Sequence, residues 1–375
     1  MGGPVIAAIG ESYSRGRSVV AERPLTVVVG IAGLLLLFDL GSGMATGRYS
    51  VSRIGRFVWD GLMYGLIIGL AGIGLSLTYG ILQFANFAHG DYITSGAFMG
   101  WGVTYVIAGL SSANVGHLLL VAPQGNISGG LLEIGVTSTP LAVLVGLVVA
   151  GLATILLVLL LDRIVYRPMR DAGGIPLLIA SIGVAFALRY VVVLVYSTRT
   201  RGTTLRPPGT AINLVDGPLL IDAHDVTLLV ATVALMIGVH LLLQRTKLGK
   251  AMRAMSDNRD LALVTGIPTE RVIRWTWIIG GGLSGMAGYL MVLWTGTIDY
   301  QFGWLLLLLI FAAVILGGIG SVYGSIFGGL VIGIAMRLSL VWLPTGDFDL
   351  VAAFGIMILA LLVKPQGLFA GRTTA

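Results

Sequence analysis

Long stretches without a charged residue constrain this chain more than any other feature of its sequence. Four runs contain no Asp, Glu, Lys or Arg: Gly61–Gly90, Pro140–Leu161, Trp275–Ile298 and Trp304–Met336. A helix needs about 20 apolar residues to cross the hydrocarbon layer of a membrane. Because backbone groups in lipid must find partners within the chain, we expect these runs to be helices. The alternating pattern of a transmembrane β-barrel is absent, so the predicted fold class is all-α, a polytopic transmembrane helix bundle.

Ten hydrophobic segments follow one another along the chain, which is 56% hydrophobic and 11% charged over 375 residues. Soluble domains carry about 25% charged residues, so the composition predicts one membrane domain of about 8–10 spans. The segments lie near 25–41, 59–82, 91–110, 140–162, 174–196, 226–244, 274–295, 303–317, 321–343 and 349–363. We place the break between the eighth and ninth segments at Gly317–Ser321. Glycines four residues apart, such as Gly65/Gly69 and Gly329/Gly333, predict close approach of helix backbones.

Basic residues in the short loops predict the orientation of the bundle in the membrane. The loop 245–274 holds seven Lys or Arg and three acidic residues, which places it in the cytoplasm. Counting spans from this loop puts the N- and C-termini in the cytoplasm as well. The three arginines between Arg48 and Arg56 then fall outside, so the first segment is either a span or a helix on the membrane surface. The outside loops Leu110–Thr139 and Ser197–Asp225 either receive a partner or are solvated connectors.

Residue types that support catalysis are sparse. The chain has no cysteine, and none of its four histidines stands at metal-ligand spacing from another. It has no P-loop and no Gly-x-Ser-x-Gly elbow, so we predict no enzyme, no metal and no cofactor of its own. An intramembrane hydrolase that uses His89 stays open as an alternative. The chain also lacks a basic tract with interleaved aromatic residues, so we predict no nucleic-acid partner.

The predicted spans offer little to a transporter driven by an ion gradient, because such transporters usually keep ionisable residues inside their spans. Four aspartates lie near predicted span ends: Asp39, Asp60, Asp91 and Asp162. Arg189 and Arg337 are the clearest charges inside spans, where they either snorkel or face the bundle interior. A pore, or a permease powered by another subunit, fits this pattern better than a proton- or sodium-coupled carrier.

The stretch FANFAHGDY, Phe84–Tyr92, places several polar groups between two long apolar runs. Three roles are open for this stretch: it takes part in catalysis, it recognises substrate, or it ends a helix. Gly90 and Asp91 suit a break followed by a helix N-terminus, with Asp91 as the cap. Asn86 and His89 remain candidates for a translocation pathway or gate, and the count of spans puts them near the cytoplasmic end.

The loop between the sixth and seventh segments contains good helix formers, and we predict one helix over Lys250–Thr265. Gly266 should end it in a left-handed conformation, since Ile267 and Pro268 follow. One face mixes methionine, leucine and valine with charges. Such a helix either lies on lipid headgroups or docks into a groove of a cytoplasmic partner.

Two sets of residues carry a resemblance to a known family. Asp260-Leu261-Ala262-x-x-x-Gly266 resembles the Glu-Ala-Ala-x-x-x-Gly coupling loop of ABC importer permeases. Six longer stretches resemble the branched-chain amino acid permease family and occur in the order found there. They are YGILQFANFAHGDY (79–92), DRIVYRPMRD (162–171), IASIGVAFALR (179–189), RVIRWTWIIGGGLSGMAGYL (271–290), VILGGIGSVYGSIFGGLVIGIA (314–335) and LLVKPQGLF (361–369). The resemblance covers residues 59–369.

This resemblance implies one transmembrane subunit of an ATP-driven importer for branched-chain or related neutral amino acids, in a prokaryotic inner membrane. The implied partners are a second related permease subunit or a second copy, cytoplasmic ABC ATPase subunits that bind the ATP, an extracytoplasmic substrate-binding protein and membrane lipid. The implied ATPase-coupling residues are Arg253, Asp260, Leu261, Ala262 and Gly266. The candidates for the pathway or gate are Asn86, His89, Gly317 and Gly318.

The same resemblance divides the chain into an N-terminal extension (1–58) with one extra hydrophobic helix, a permease domain (59–369) and a cytoplasmic tail (370–375). Departures from the family pattern are Asp260 for Glu, Leu261 for Ala, and Met336 where members often carry Glu. Three alternatives stay open: a permease for urea or short amides, a stand-alone channel, and a secondary carrier.

Overall fold

The computed structural model describes residues 24–110, 132–343 and 346–369, and these residues form a helical bundle. The helices are α1 (Pro24–Ala45), α2 (Val51–Leu82), α3 (His89–Gly109), α4 (Pro140–Leu161), α5 (Gly174–Tyr196), α6 (Ala223–Arg245), α7 (Lys247–Asp257), α8 (Arg259–Val264), α9 (Thr269–Thr295), α10 (Phe302–Gly317), α11 (Val322–Leu338) and α12 (Asp349–Val363). Helix α4 continues as a π-helical turn (Asp162–Tyr166) and a 3-10 turn (Arg167–Ala172). Most of the outside loop Leu110–Thr139 and the tail 370–375 lie outside the described residues.

Four short strands decorate one end of the bundle. Strand β1 (Arg201–Gly202) pairs antiparallel with β4 (Thr297–Ile298). Strands β2 (Thr210–Leu214) and β3 (Gly217–Ile221) form an antiparallel hairpin. We call this end of the bundle the hairpin end, and the opposite end, which carries α7 and α8, the coupling end.

Each of the ten predicted hydrophobic segments is a helix, and the predicted break at Gly317–Ser321 separates α10 from α11. Within the described residues, seven helices are long and apolar enough to cross a membrane, and α10 and α12 are shorter apolar helices. Helix α2 begins at Val51 rather than at 59, because Ser50 caps it by accepting a hydrogen bond from the Arg53 backbone nitrogen at 3.3 Å. The first turns of α2 contain charged residues, so the apolar run in the sequence begins later than the helix does.

Glycines bring the central helices into backbone contact, as their spacing predicted. Gly65 and Gly69 of α2 face Gly329 of α11, and a Cβ atom on Gly329 would lie 2.7 Å from the Gly65 carbonyl oxygen. Such contacts suit a membrane interior, where helix association depends on close packing rather than on the hydrophobic effect. The core therefore lies between α2, α3, α9 and α11, and the more apolar helices surround it.

The hairpin end is tied to the start of α2 by one carboxylate. Asp216, in the β2–β3 turn, accepts hydrogen bonds from the backbone nitrogens of Ser52 at 2.8 Å and Val51 at 2.6 Å. These donors, the Ser52 backbone first among them, lower the pKa of Asp216 below its ordinary value. The carboxylate also satisfies backbone donors at a helix N-terminus, where negative charge is favoured.

Candidate coupling loop and buried core

The first helix of the coupling loop, α7, is anchored to the bundle. The Thr246 side chain caps it by accepting a hydrogen bond from the Gly249 backbone nitrogen at 3.0 Å. Met252 and Met255 are buried against the bundle. Arg253 donates from Nη1 to the Leu243 carbonyl oxygen of α6 at 2.9 Å. This part of the loop is therefore held to the spans rather than lying free on a lipid surface.

The predicted single helix Lys250–Thr265 is wrong, because the chain breaks at Asn258. Asn258 has an extended backbone conformation (φ −158°, ψ 105°), and its side chain accepts a hydrogen bond from the Leu261 backbone nitrogen at 2.9 Å. Asparagine is among the best N-cap residues, so it starts a second helix instead of continuing the first. The loop consequently contains a pair of short helices, α7 and α8.

The predicted end of the loop helix at Gly266 is confirmed. Gly266 has φ +83°, in the left-handed region that is costly for residues with a Cβ atom. Its backbone nitrogen donates to Leu263 at 3.1 Å, and the Ile267 nitrogen donates to Ala262 at 3.0 Å. This pair of bonds is a Schellman motif, which satisfies the last carbonyl groups of α8.

The second helix, α8, presents apolar side chains to solvent at the coupling end. Leu261 is 61% exposed, Leu263 is 60% exposed and Val264 is 85% exposed. We call these three residues the apolar tip. Single exposed apolar residues are ordinary, but three on a six-residue helix form a small exposed apolar patch.

The five residues implied by the coupling motif fall into two groups. Asp260, Leu261 and Gly266 are exposed on or beside the apolar tip. Ala262 is on the buried face of α8, and Arg253 donates a hydrogen bond to α6. These two residues therefore hold the loop against the bundle. The motif therefore includes residues that face inward, and the coupling role of the loop stays a prediction.

An arginine clamp, which the sequence analysis did not identify, joins three segments beside the loop. Arg170 Nη2 donates to both carboxylate oxygens of Asp162, at 2.9 and 2.8 Å, and Nη1 donates to Glu270 at the start of α9. Arg167 lies 3.7 Å from the same glutamate. The side chain of Arg170 is only 9% exposed. The DRIVYRPMRD stretch contained the arginine and the aspartate, but nothing in the sequence indicated the third partner, 100 residues away.

The FANFAHGDY stretch is a buried turn that leads into α3. Asn86 Oδ1 accepts a hydrogen bond from the Ala88 backbone nitrogen at 3.0 Å, and the Phe87 nitrogen donates to Ser181 Oγ of α5 at 3.0 Å. His89 Nε2 lies 3.0 Å from the Ala71 carbonyl oxygen of α2. Asn86 and His89 are fully buried, and Asn86 Nδ2 has no hydrogen-bond partner among the described residues. The stretch therefore ends one helix and starts the next inside the bundle.

The prediction that Asp91 caps α3 is wrong. Helix α3 begins at His89 without a side-chain cap, and Asp91 lies in its first turn. Its carboxylate instead accepts hydrogen bonds from Arg189 Nε at 3.1 Å and Nη2 at 3.0 Å. The Arg189 guanidinium lies 4.6 Å from the centroid of the Trp304 ring. Arg189 therefore faces the bundle interior, because a buried guanidinium needs a counter-ion more than the helix needs a cap.

The two glycines offered as gate candidates form a tight turn. Gly317 packs its backbone directly against Gly324 of α11, and Gly318 has φ +102°. The segment after α12 closes over them, because the Leu368 nitrogen donates to Leu316 at 2.9 Å and the Phe369 nitrogen to Gly317 at 3.0 Å. Within the described residues, no hydrogen bond joins this turn to the buried pair Asn86 and His89, so the role of these residues as a gate stays a prediction.

Packed apolar helices around a glycine-lined centre, with a structured loop at one end, define a polytopic permease bundle. Within the described ranges, no group of three His, Cys, Asp or Glu side chains is placed to hold a metal ion. The family model for the permease component of branched-chain amino acid transport systems matches residues 57–362. The chain belongs to this family, which confirms the resemblance found in its motifs.

Curated relatives extend over most of the chain. The high-affinity branched-chain amino acid transport system permease protein BraD of Pseudomonas aeruginosa is 28% identical over 313 residues, 82% of this chain and 93% of that protein. LivH of Escherichia coli, a permease protein of the same kind of system, is 28% identical over 83% of this chain and 94% of its own length. A probable branched-chain amino acid permease, LivH of Methanocaldococcus jannaschii, is 28% identical over 89% of this chain and 94% of its own length. No solved structure matches the chain.

Proposed function

We propose that this chain is the transmembrane permease subunit of an ATP-driven ABC importer for branched-chain or related neutral amino acids. The observation that carries the proposal is the apolar tip, which is exposed at one end of a membrane bundle and fixed there by α7. Family membership indicates a permease, and the names of the relatives point to the substrate class. The tip supplies what such a permease needs, a rigid surface for a partner that hydrolyses ATP.

The coupling mechanism follows from how the loop is attached. A cytoplasmic ATPase subunit docks on Leu261, Leu263 and Val264, and closure of the ATPase pair moves α8. The bond from Arg253 to Leu243 passes that movement to α6, and the continuous chain from Gly266 passes it to α9. The Arg170 clamp extends it to the end of α4 through Asp162. The bundle then alternates between outward and inward access without an ion gradient.

The remaining partners are assigned to the other surfaces of the bundle. A second related permease subunit, or a second copy of this chain, covers part of the apolar outer helices. An extracytoplasmic substrate-binding protein delivers substrate to the hairpin end. The protein lies in a prokaryotic inner membrane with both termini in the cytoplasm, which agrees with the basic loop 245–274 on the coupling end.

The test is uptake of labelled L-leucine by proteoliposomes that contain this chain with its partner permease, ATPase subunits and binding protein. We expect uptake to require ATP on the side of the membrane that carries the ATPase subunits. Uptake should stop when these subunits are omitted. Uptake that continues without ATP would identify a channel or secondary carrier and would contradict the proposal. ATP-driven uptake of urea or a short amide, but not of leucine, would contradict the proposed substrate class and leave the ATP-driven mechanism intact.

A further inference from the structure

A polar cavity of about 280 Å³ opens at the hairpin end, between the outer ends of α2, α9 and α11 and strand β3. Small-molecule sites usually range from about 300 to 1,000 Å³, so this cavity suits a very small ligand. The apolar part of its wall comes from Leu220 and Trp294. The charged part comes from three arginines and two aspartates.

Two of these charged residues are already occupied by partners in the wall. Asp225 accepts a hydrogen bond from Trp294 Nε1 at 2.8 Å and forms a reciprocal capping pair with Asp222 at the start of α6. Arg206 donates to Asp222 at 2.7 Å. These groups hold the cavity in shape, because their hydrogen bonds link β3, α6 and α9.

Four other polar groups of the wall are left with unused capacity. Within the described residues, Asp60 makes no hydrogen bond and no ion pair, although it lies within electrostatic reach of Arg337 and Arg56. Trp59 Nε1 and Arg337 Nε, which have no accessible surface, find no partner in the part of the chain that the structure describes. The Arg337 guanidinium is fixed at its other side by Asp349, at 3.3 Å. The half-buried carboxylate of Asp60 and the exposed guanidinium of Arg56 therefore line the cavity with their hydrogen-bonding capacity unused by the described residues.

The cavity wall offers both a negative charge and positive charges to a ligand. Asp60 offers one negative charge, and Arg56 offers one positive charge that no other described residue pairs. The Arg337 guanidinium adds a second positive charge to the wall of the cavity. A ligand that satisfies all of them carries an ammonium group and a carboxylate group close together, with a small apolar remainder for Leu220 and Trp294.

We propose that this cavity binds the zwitterionic head of a neutral α-amino acid before it enters the bundle. Asp60 accepts hydrogen bonds from the ammonium group, and the guanidinium groups of Arg56 and Arg337 donate to the carboxylate. The site depends on the proposed function, because it is the receiving site for the amino acid that the importer carries. It makes the permease itself selective for the amino acid head group.

The test measures binding of labelled L-leucine to the complete permease–ATPase complex in lipid nanodiscs, without the binding protein. We expect Asp60→Asn to weaken leucine binding by at least about tenfold, the effect of losing one charge-assisted hydrogen bond, and Asp60→Glu to retain more of it. Asp299→Asn, at the same end but outside the cavity, is the matched control and should bind as the unmodified complex does. Leucinamide, which lacks the carboxylate, and 4-methylpentanoate, which lacks the ammonium group, should both compete poorly.

A second variant is needed because substitution of the half-buried Asp60 could reduce binding by disturbing the fold. Arg56→Gln changes an exposed residue and should also weaken leucine binding while leaving the melting temperature of the complex unchanged. Leucine binding that is equal in Asp60→Asn, Arg56→Gln and unmodified complexes would overturn the inference. So would an unmodified complex that binds no leucine but still imports it with ATP, and that result would leave the proposed function intact. Loss of ATP-driven uptake in the unmodified, fully assembled transporter would instead overturn the proposed function.

Discussion

The central and outer helices of the bundle are built in opposite ways. In α2 and α9, 89% and 83% of the membrane-length apolar window is buried, whereas the values are 28% in α5 and α6 and 6% in α1. The outer helices are nevertheless the more apolar ones, with long leucine and valine runs such as the one in α4. The central helices contain the glycines that meet backbone across the bundle, and α3 supplies Asp91 of an ion pair whose arginine lies on the outer helix α5.

This contrast is what a lipid solvent requires. Apolar side chains gain nothing by moving from lipid to a protein interior, so they remain on the outside. Glycine and polar residues gain packing and hydrogen bonds in the centre, so they concentrate there. Among the membrane-length helices of the described residues, high hydrophobicity therefore marks the surface, whereas the shorter helix α10 is strongly apolar and yet largely buried.

Substitution of a central glycine should have the largest effect. At Gly329, a Cβ atom would lie 2.7 Å from the Gly65 carbonyl oxygen, and backbone cannot move aside as a side chain can. We expect Gly329→Leu to cost at least about 1–3 kcal/mol and to leave little folded protein after extraction in detergent. Gly183 lies on the exposed face of α5 with no atom within 4 Å of its Cβ position, so Gly183→Leu should be extracted at the unmodified level. Equal yields of folded protein for the two variants would contradict the difference in packing between central and outer helices.

Loss of the buried ion pair between Asp91 of α3 and Arg189 of α5 should have the next largest effect. The side chains of Asp91 and Arg189 are 1% and 10% exposed, so Asp91→Asn leaves a buried guanidinium without its counter-ion. We expect a loss of about 3–5 kcal/mol in stability, measured by thermal unfolding of the purified chain. Asp39 and Arg48, at the end of the outer helix α1, are 36% and 56% exposed. Their pair should contribute far less, and a larger effect of Asp39→Asn than of Asp91→Asn would contradict the comparison.

The positions of the apolar helices could be predicted from the sequence, because charge-free runs need only composition and length to be recognised. The described residues contain seven helices that are long and apolar enough to span a membrane, fewer than the 8–10 spans predicted. The break at Asn258 was also within reach, since Asp257-Asn258 is a good start for a helix and was overlooked within a run of helix formers. The partners of Asp91 and Arg170 were not, because those pairs join residues 98 and 100 positions apart. One sequence shows that a buried charge needs a counter-ion, but only the fold shows which one it meets.

The coupling end offers a smaller effect with a sharper readout. Valine at Gly266 would have to adopt φ +83°, which costs roughly 1–2 kcal/mol and displaces the apolar tip. We expect Gly266→Val to insert normally but to lose most ATP-driven leucine uptake in the assembled transporter. Asparagine tolerates the left-handed conformation, so Gly266→Asn should keep more uptake than Gly266→Val. Equal activity of both variants and the unmodified chain would show that the Schellman motif does not position the tip.

The hairpin end should give the smallest effect, visible only in acid. Hydrogen bonds from the Ser52 and Val51 backbone hold the pKa of Asp216 below the unfolded value of about 3.9. A lowered folded pKa means that the anchor stabilises the protein above the unfolded pKa and is lost as pH falls through the folded pKa. The melting temperature of Asp216→Asn should therefore stay below that of the unmodified chain from about pH 7 to about pH 5, and the gap should close below about pH 4. A gap that does not change with pH would contradict this assignment.

The central claim, that the apolar tip is where the ATPase docks, can be measured by site-specific cross-linking. The chain has no cysteine, so Val264→Cys introduces a single thiol at a position that is 85% exposed. Val215→Cys, at a 92% exposed position in the turn of the hairpin, is the matched control at the opposite end. In the assembled transporter, a short thiol-reactive cross-linker should join Val264→Cys to the ATPase subunit and should not join Val215→Cys to it. Cross-linking from the hairpin position, or none from the tip while the complex stays assembled, would contradict the account.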